Sequence, residues 1–203
     1  MKTFTKLTNE QAATLITAIV TAIPGATLTR DADQRPHGFK LAEAEGVWLS
    51  YDSYKHRLNV SGQWPYSRLP GEANTRFGPW ELHPRPEDTS ISISADKNVP
   101  KIATEIPRRF IPAYRTVLAL CLARRDSHES YETNKKQLAQ TVATALGARL
   151  RNNDGTCFDL PANLTATQAY GDVTVSGEAS VEFKVRHLDT DRALKRIAFL
   201  KTL

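Results

Sequence analysis

Between residues 62 and 88 the side chains of Trp64, Tyr66, Phe77 and Trp80 are interleaved with those of Arg68, Arg76 and Arg85. Indole, phenol and guanidinium groups carry much of the energy at binding interfaces, and rings alternating with arginines can stack on unpaired bases. The segment holds five prolines and three glycines and is too long for a simple hairpin turn. Its aromatics have two uses, recognition of a partner or cover for the protein's own core. A second cationic feature follows. Arg108, Arg109, Arg115, Arg124 and Arg125 fall within residues 106–125 with no acid between them, and they equal the whole formal excess of +5. Such a stripe suits phosphates, through sequence-independent and salt-sensitive contacts, or the carboxylates of an acidic protein surface. Its plainer alternative is a solvated helix face.

One further pattern would imply catalysis. Asp172, then Glu182 and Lys184 two apart on a neighbouring strand, matches the acid, acid and lysine of metal-dependent nucleases, in which two carboxylates hold magnesium and the lysine orients water. Strand alternation alone also explains Glu182 and Lys184 as solvent-facing neighbours, and the first half of the chain has Ser92 and Ser94 in their place. His37, His56, His83, His128 and His187 show no paired spacing. Cys121 and Cys157 have neither zinc-site nor disulfide spacing, and Cys121 falls in the apolar register of a helix. No glycine-rich phosphate loop or nucleophile elbow is present. The expectation is a protein that is not an enzyme and uses no cofactor or metal.

The elements that must position these residues follow from periodicity. Ala12, Leu15, Ile16, Ile19 and Ile23 recur at helical spacing, with Thr8 or Asn9 as N-cap and Gly25 beyond the end. Short extended pieces at Thr27 to Arg30 and Phe39 to Ala42 flank a turn. Val47, Leu49 and Tyr51 alternate with Trp48, Ser50 and Asp52, and Leu58 and Val60 with Arg57 and Asn59, which predicts a hairpin. Ile91 and Ile93 between serines mark a strand with one wet face. A helical pattern runs from Lys97 to about Arg125, broken near Pro107 and Pro112, with Pro112 opening a new helix. A further helix starts near Ser130 and stops at Gly147. After a turn at Asn152 to Gly155, strands are expected at 166–170, 172–176 and 180–187, and then a short helix with Leu194, Ile197 and Ala198 inward.

The two halves echo each other. Thr21 to Leu28 matches Thr144 to Leu150 apart from Pro24, and Leu58 to Gly62 matches Val173 to Gly177. The expected class is therefore α+β, built of two tandem helix–antiparallel sheet–helix repeats packed together. The first repeat would span 1–111, a helical connector 112–129 and the second repeat 130–203. This order of elements resembles that of double-stranded RNA-binding domains. The glycine- and lysine-rich entry to that family's second helix is missing, since Asp96 to Pro100 and Leu188 to Asp191 stand there, so the likeness is one of topology and carries no function.

Lys2 and Lys6 ahead of Ala12 to Ile23 mimic a signal peptide, but Asn9, Glu10 and the threonines of the run oppose that reading. No stretch approaches the ~18 apolar residues of a membrane span, and a cytoplasmic location is expected. Finally, Ile91 through Ala95 with Ile102, Ala103, Arg108, Arg109, Pro112, Ala113 and Tyr114 resembles small accessory proteins of bacteriophages and other mobile elements. That resemblance implies a non-catalytic inhibitor of a host nucleic-acid-processing complex, such as a CRISPR or restriction complex. The alternative partner is DNA or RNA held directly by the arginine stripe and the aromatic loop, and oligomeric state is left open.

Overall fold

The computed structural model describes residues 6–42, 45–83, 86, 89–146, 149–150, 157–159, 170–175 and 181–186. It is an α+β protein dividing into two compact units, Met1–Asp126 and Ser127–Leu203. The first unit opens with helix α1 (Asn9–Ala22). Its start is fixed by a capping box, in which the Gln11 amide donates to Thr8 Oγ1 and the Thr8 amide to Gln11 Oε1. Strands β1 (Thr27–Arg30), β2 (Pro36–Lys40), β3 (Gly46–Asp52), β4 (Arg57–Gly62) and β5 (Ser90–Ser94) then form an antiparallel meander in sequence order. Helices α2 (Val99–Arg109) and α3 (Ile111–Leu146) follow.

Register decides what each sheet face carries. Phe39 lies opposite Val47, Leu49 opposite Val60 and Leu58 opposite Ile93. These side chains are buried against Ile16, Ile19 and Val20 of α1, Ile102 and Ile106 of α2, and Phe110, Tyr114 and Leu118. Each such side chain contributes roughly 1.5–3 kcal/mol of transfer free energy, most of it offset by the entropy of ordering the chain. The other face carries Lys40, Trp48, Ser50, Asn59, Ser61 and Ser92, and this is the wet face the alternation predicts.

Tyr114 clamps α3 to the sheet. Its hydroxyl donates toward the carbonyls of Gly46 (2.8 Å) and Gln63 (2.9 Å), and its ring stacks on Phe110 and meets Trp64 edge-on. Gly62 makes room for it, because a Cβ there would lie 2.2 Å from the ring. The expected break in the helical stretch falls at Phe110, with Pro107 inside α2 and Pro112 in the first turn of α3.

The stretch read as a connector (112–129) and the helix expected from Ser130 are one continuous helix, α3, with 36 residues. In the second unit, β6 (Arg149–Leu150), β7 (Cys157–Asp159), β8 (Tyr170–Val175) and β9 (Val181–Arg186) pair antiparallel in that order. Leu28 pairs with Phe39 and Phe39 with Val47, while Leu150 pairs with Phe158 and Phe158 with Val173. Counted after the preceding helix, β3 and β8 each stand third. The match of Leu58 to Gly62 with Val173 to Gly177 is off by one strand, since β4 is fourth and β8 third. The turn at Asn152 to Gly155, residues 166–169 of the strand expected at 166–170 and the final helix lie outside the described residues, and Tyr170 opens β8.

Candidate recognition site: a basic aromatic cleft in the first unit

Residues 65–77 of the proline-rich segment form a two-stranded ribbon. The Ser67 amide donates to the Thr75 carbonyl and the Phe77 amide to the Pro65 carbonyl, both at 2.8 Å, with Tyr66 and Arg76 bridged between them. Its tip turns at Gly71, where φ is +87° and glycine carries no steric penalty. A 3-10 turn at Pro79–Glu81 returns the chain toward β5.

This ribbon sorts the predicted aromatics into two groups. Trp64 is 8% exposed and Phe77 4% exposed, so both take the covering role. Tyr66 (50%) and Trp80 (48%) remain exposed. The Arg76 guanidinium lies 5.5 Å from each of these two rings, a cation held by two π-faces. Arg76 Nε is buried and has no hydrogen-bond partner among the described residues. Trp80 folds over Gly78, where a Cβ would lie 2.2 Å from the indole. Arg85 lies outside the described residues.

The stripe does not present one continuous cationic face. Arg115 grips Glu45 with two 2.9 Å hydrogen bonds, and Arg124 reaches Glu81 at 3.0 Å. Arg125 and Arg68 both contact Asp126 Oδ1 at 2.8 Å. Arg109 pairs with Glu105, which also accepts from Lys97 at 2.5 Å. The Lys97 hydrogen bond, aided by Arg109, holds the Glu105 carboxyl below its usual range. Arg108 is exposed and has no ion-pair partner among the described residues. Its pairing with Arg115 on one helix side is lost, because the two lie on different helices.

What the structure brings together is a cleft of about 550 Å³ between the wet sheet face, the ribbon and α3. Lys40, Trp48, Tyr66, Arg68, Arg76 and Arg125 line it together with Gln63, Trp64 and Leu122, and among the described residues none of the lining is acidic. Trp48 is 43% exposed and its ring lies 4.5 Å from that of His37. Lys40, Trp48, Gln63 and Leu122 were not among the residues expected here. A signal for Trp48 existed: a large aromatic standing in the polar register of β3 has no core to fill.

Two buried features outside the cleft are structural. His56, at φ +50°, is linked through Nδ1 to the Tyr51 hydroxyl (2.7 Å) and through Nε2 to Asp96 Oδ1 (3.1 Å), which ties the β3–β4 turn to the β5–α2 turn. Burial, and next the charge of Glu81, push the Cys121 thiol up to about 11, which keeps it protonated and unreactive. In the second unit, register sets Asp172 opposite Lys184 and Glu182 opposite Thr174. Among the described residues, no three His, Cys, Asp or Glu side chains converge as metal ligands, and no helix is long and apolar enough to cross a membrane.

Comparison with protein families, with curated proteins and with solved structures gives no match to this chain.

Proposed function

We propose that this protein is a non-catalytic accessory protein of a bacteriophage or mobile element that binds a host nucleic-acid-processing complex in the cytoplasm and inhibits it. The cleft of the first unit is its recognition surface. The observation that carries this reading is the cleft's composition, in which exposed Trp48 and Tyr66 stand among four cations with no acidic lining residue among the described residues. Aromatic and arginine side chains grouped in a concave surface are the residue types that dominate binding energy, and their positive field favours an anionic partner. Within this reading the two units descend from one duplicated helix–sheet module, and the segment 62–88 is an addition to the first copy.

Direct binding of DNA or RNA along the arginine stripe is the weaker alternative. Glu45, Glu81, Glu105 and Asp126 already occupy four of its five arginines, so few charges there are available to release counterions from a duplex. The proposal is tested by expressing the chain in a host with an active CRISPR or restriction system and measuring the plating efficiency of a targeted phage. Restored plating is expected for the wild type and its loss for Trp48→Ala with Tyr66→Ala. Unchanged plating with the wild type would overturn the inhibitor reading. Magnesium-dependent cleavage of labelled DNA that disappears in Glu182→Ala would overturn the non-catalytic one.

A further inference from the structure

The chemistry of the cleft specifies more than an anionic partner. Lys40, Arg68, Arg76 and Arg125 supply positive charge to it, and Asp126 is shared between Arg68 and Arg125. Trp48 and Tyr66 add two half-exposed rings to the same lining. Trp48 is flanked across the sheet by Gly38 and Ser61, whose small side groups leave the indole 43% exposed beside the His37 ring. Arg76 places a buried, unpartnered Nε among these groups.

A carboxylate-rich peptide would use the cations and leave both rings without a counterpart. A duplex would offer phosphates while keeping its bases stacked inside, and a cleft of about 550 Å³ is the size of a small-ligand site. An unpaired strand satisfies both halves of the lining, with phosphates for the cations and base faces for the rings. Base–aromatic stacking is sequence-tolerant, because every base has a π-face.

Resting on the reading of this cleft as the recognition surface, we propose that it binds a single-stranded polynucleotide segment, the unpaired strand of a nucleic-acid-processing complex. Bases stack on Trp48 and Tyr66, while Lys40 and Arg76, the lining cations outside the Asp126 ion pairs, hold the backbone. The residues that stack set affinity, and the residues that hold phosphates set its dependence on salt.

The test is fluorescence anisotropy of the full chain with three labelled probes: an oligothymidylate of about twelve nucleotides, a blunt duplex of the same length, and a polyglutamate peptide. The oligothymidylate is expected to bind at least about tenfold more tightly than either other probe. Trp48→Ala and Tyr66→Ala should each weaken it about tenfold, while Lys40→Ala should reduce the salt slope by about one. Trp48→Leu, which keeps an apolar side chain on β3, guards against loss of fold, and thermal melts are compared for every variant. Binding of duplex or polyglutamate as tight as that of the strand overturns the proposal, as does wild-type-like binding by all three ring variants or no binding at all. Recovery of a host complex by a chain that binds no oligonucleotide sinks the strand and leaves the functional reading intact. Strand binding without host inhibition supports the strand and removes the inhibitor.

Discussion

Tyr114 is the residue on which the architecture of the cleft turns, because its hydroxyl and ring join α3 to the ends of β3 and β4. Tyr114→Phe keeps the ring and removes both hydrogen bonds, and a loss of about 1–2 kcal/mol is expected in urea unfolding. Glu105 gives a pH-dependent prediction whose sign follows from its cationic neighbours. Its folded-state carboxyl is held below the ordinary value of 4.5, chiefly by the hydrogen bond from Lys97. The stability it contributes is therefore complete above that value and is lost as pH falls through the lower folded value. The wild type should exceed Glu105→Gln in urea midpoint at neutral pH, and the difference should shrink as the solution is acidified below about 4.5. For Cys121, a thiol pushed up to about 11 is ionised in about one molecule in a thousand at pH 8. In a Cys157→Ser background, native protein should react with a thiol reagent far more slowly than urea-unfolded protein. At this scale the sequence revealed residue types and not partners. The arginine stripe looks acid-free because Glu45 lies 70 residues from Arg115 and Glu81 lies 43 from Arg124, and only folding joins them.

The elements were legible where local signals agreed. The apolar spacing of α1, its Thr8 cap and Gly25 after its end all point to one helix, and alternation marks β3, β4 and β5. The length of α3 was missed although its signal is present, because no glycine or proline falls between Pro112 and Gly147. The two-repeat scheme places a new start near Ser130, whereas helix propensity carries the chain through it. β6 and β7, with two and three residues, are too short to show a period. The packing of α3 on the sheet depends on Gly62, whose replacement by alanine would put a methyl group 2.2 Å from Tyr114 Cε2. Gly62→Ala is expected to cost about 1–3 kcal/mol by forcing the helix and strand apart. A stability equal to the wild type would show that the clamp is looser than these contacts imply.

At the scale of the molecule, net charge concentrates in the first unit. Residues 1–126 carry four of the five net positive charges, and their helices and sheet enclose a core of their own. Part of the recognition site was legible as the ribbon of aromatics and arginines. The cleft was not, because it needs Lys40 and Trp48 from the sheet and Leu122 from α3 beside that ribbon. Its role is tested by recovering bound partners from host lysate on tagged full-length protein, with and without nuclease treatment, for the wild type and for Trp48→Ala with Arg76→Ala. The wild type is expected to retain enzymes of nucleic-acid processing, in an amount reduced when the strand is digested, and the double variant to lose them while melting as a folded protein. Equal recovery by the folded double variant would contradict the cleft as the surface that recognises a partner.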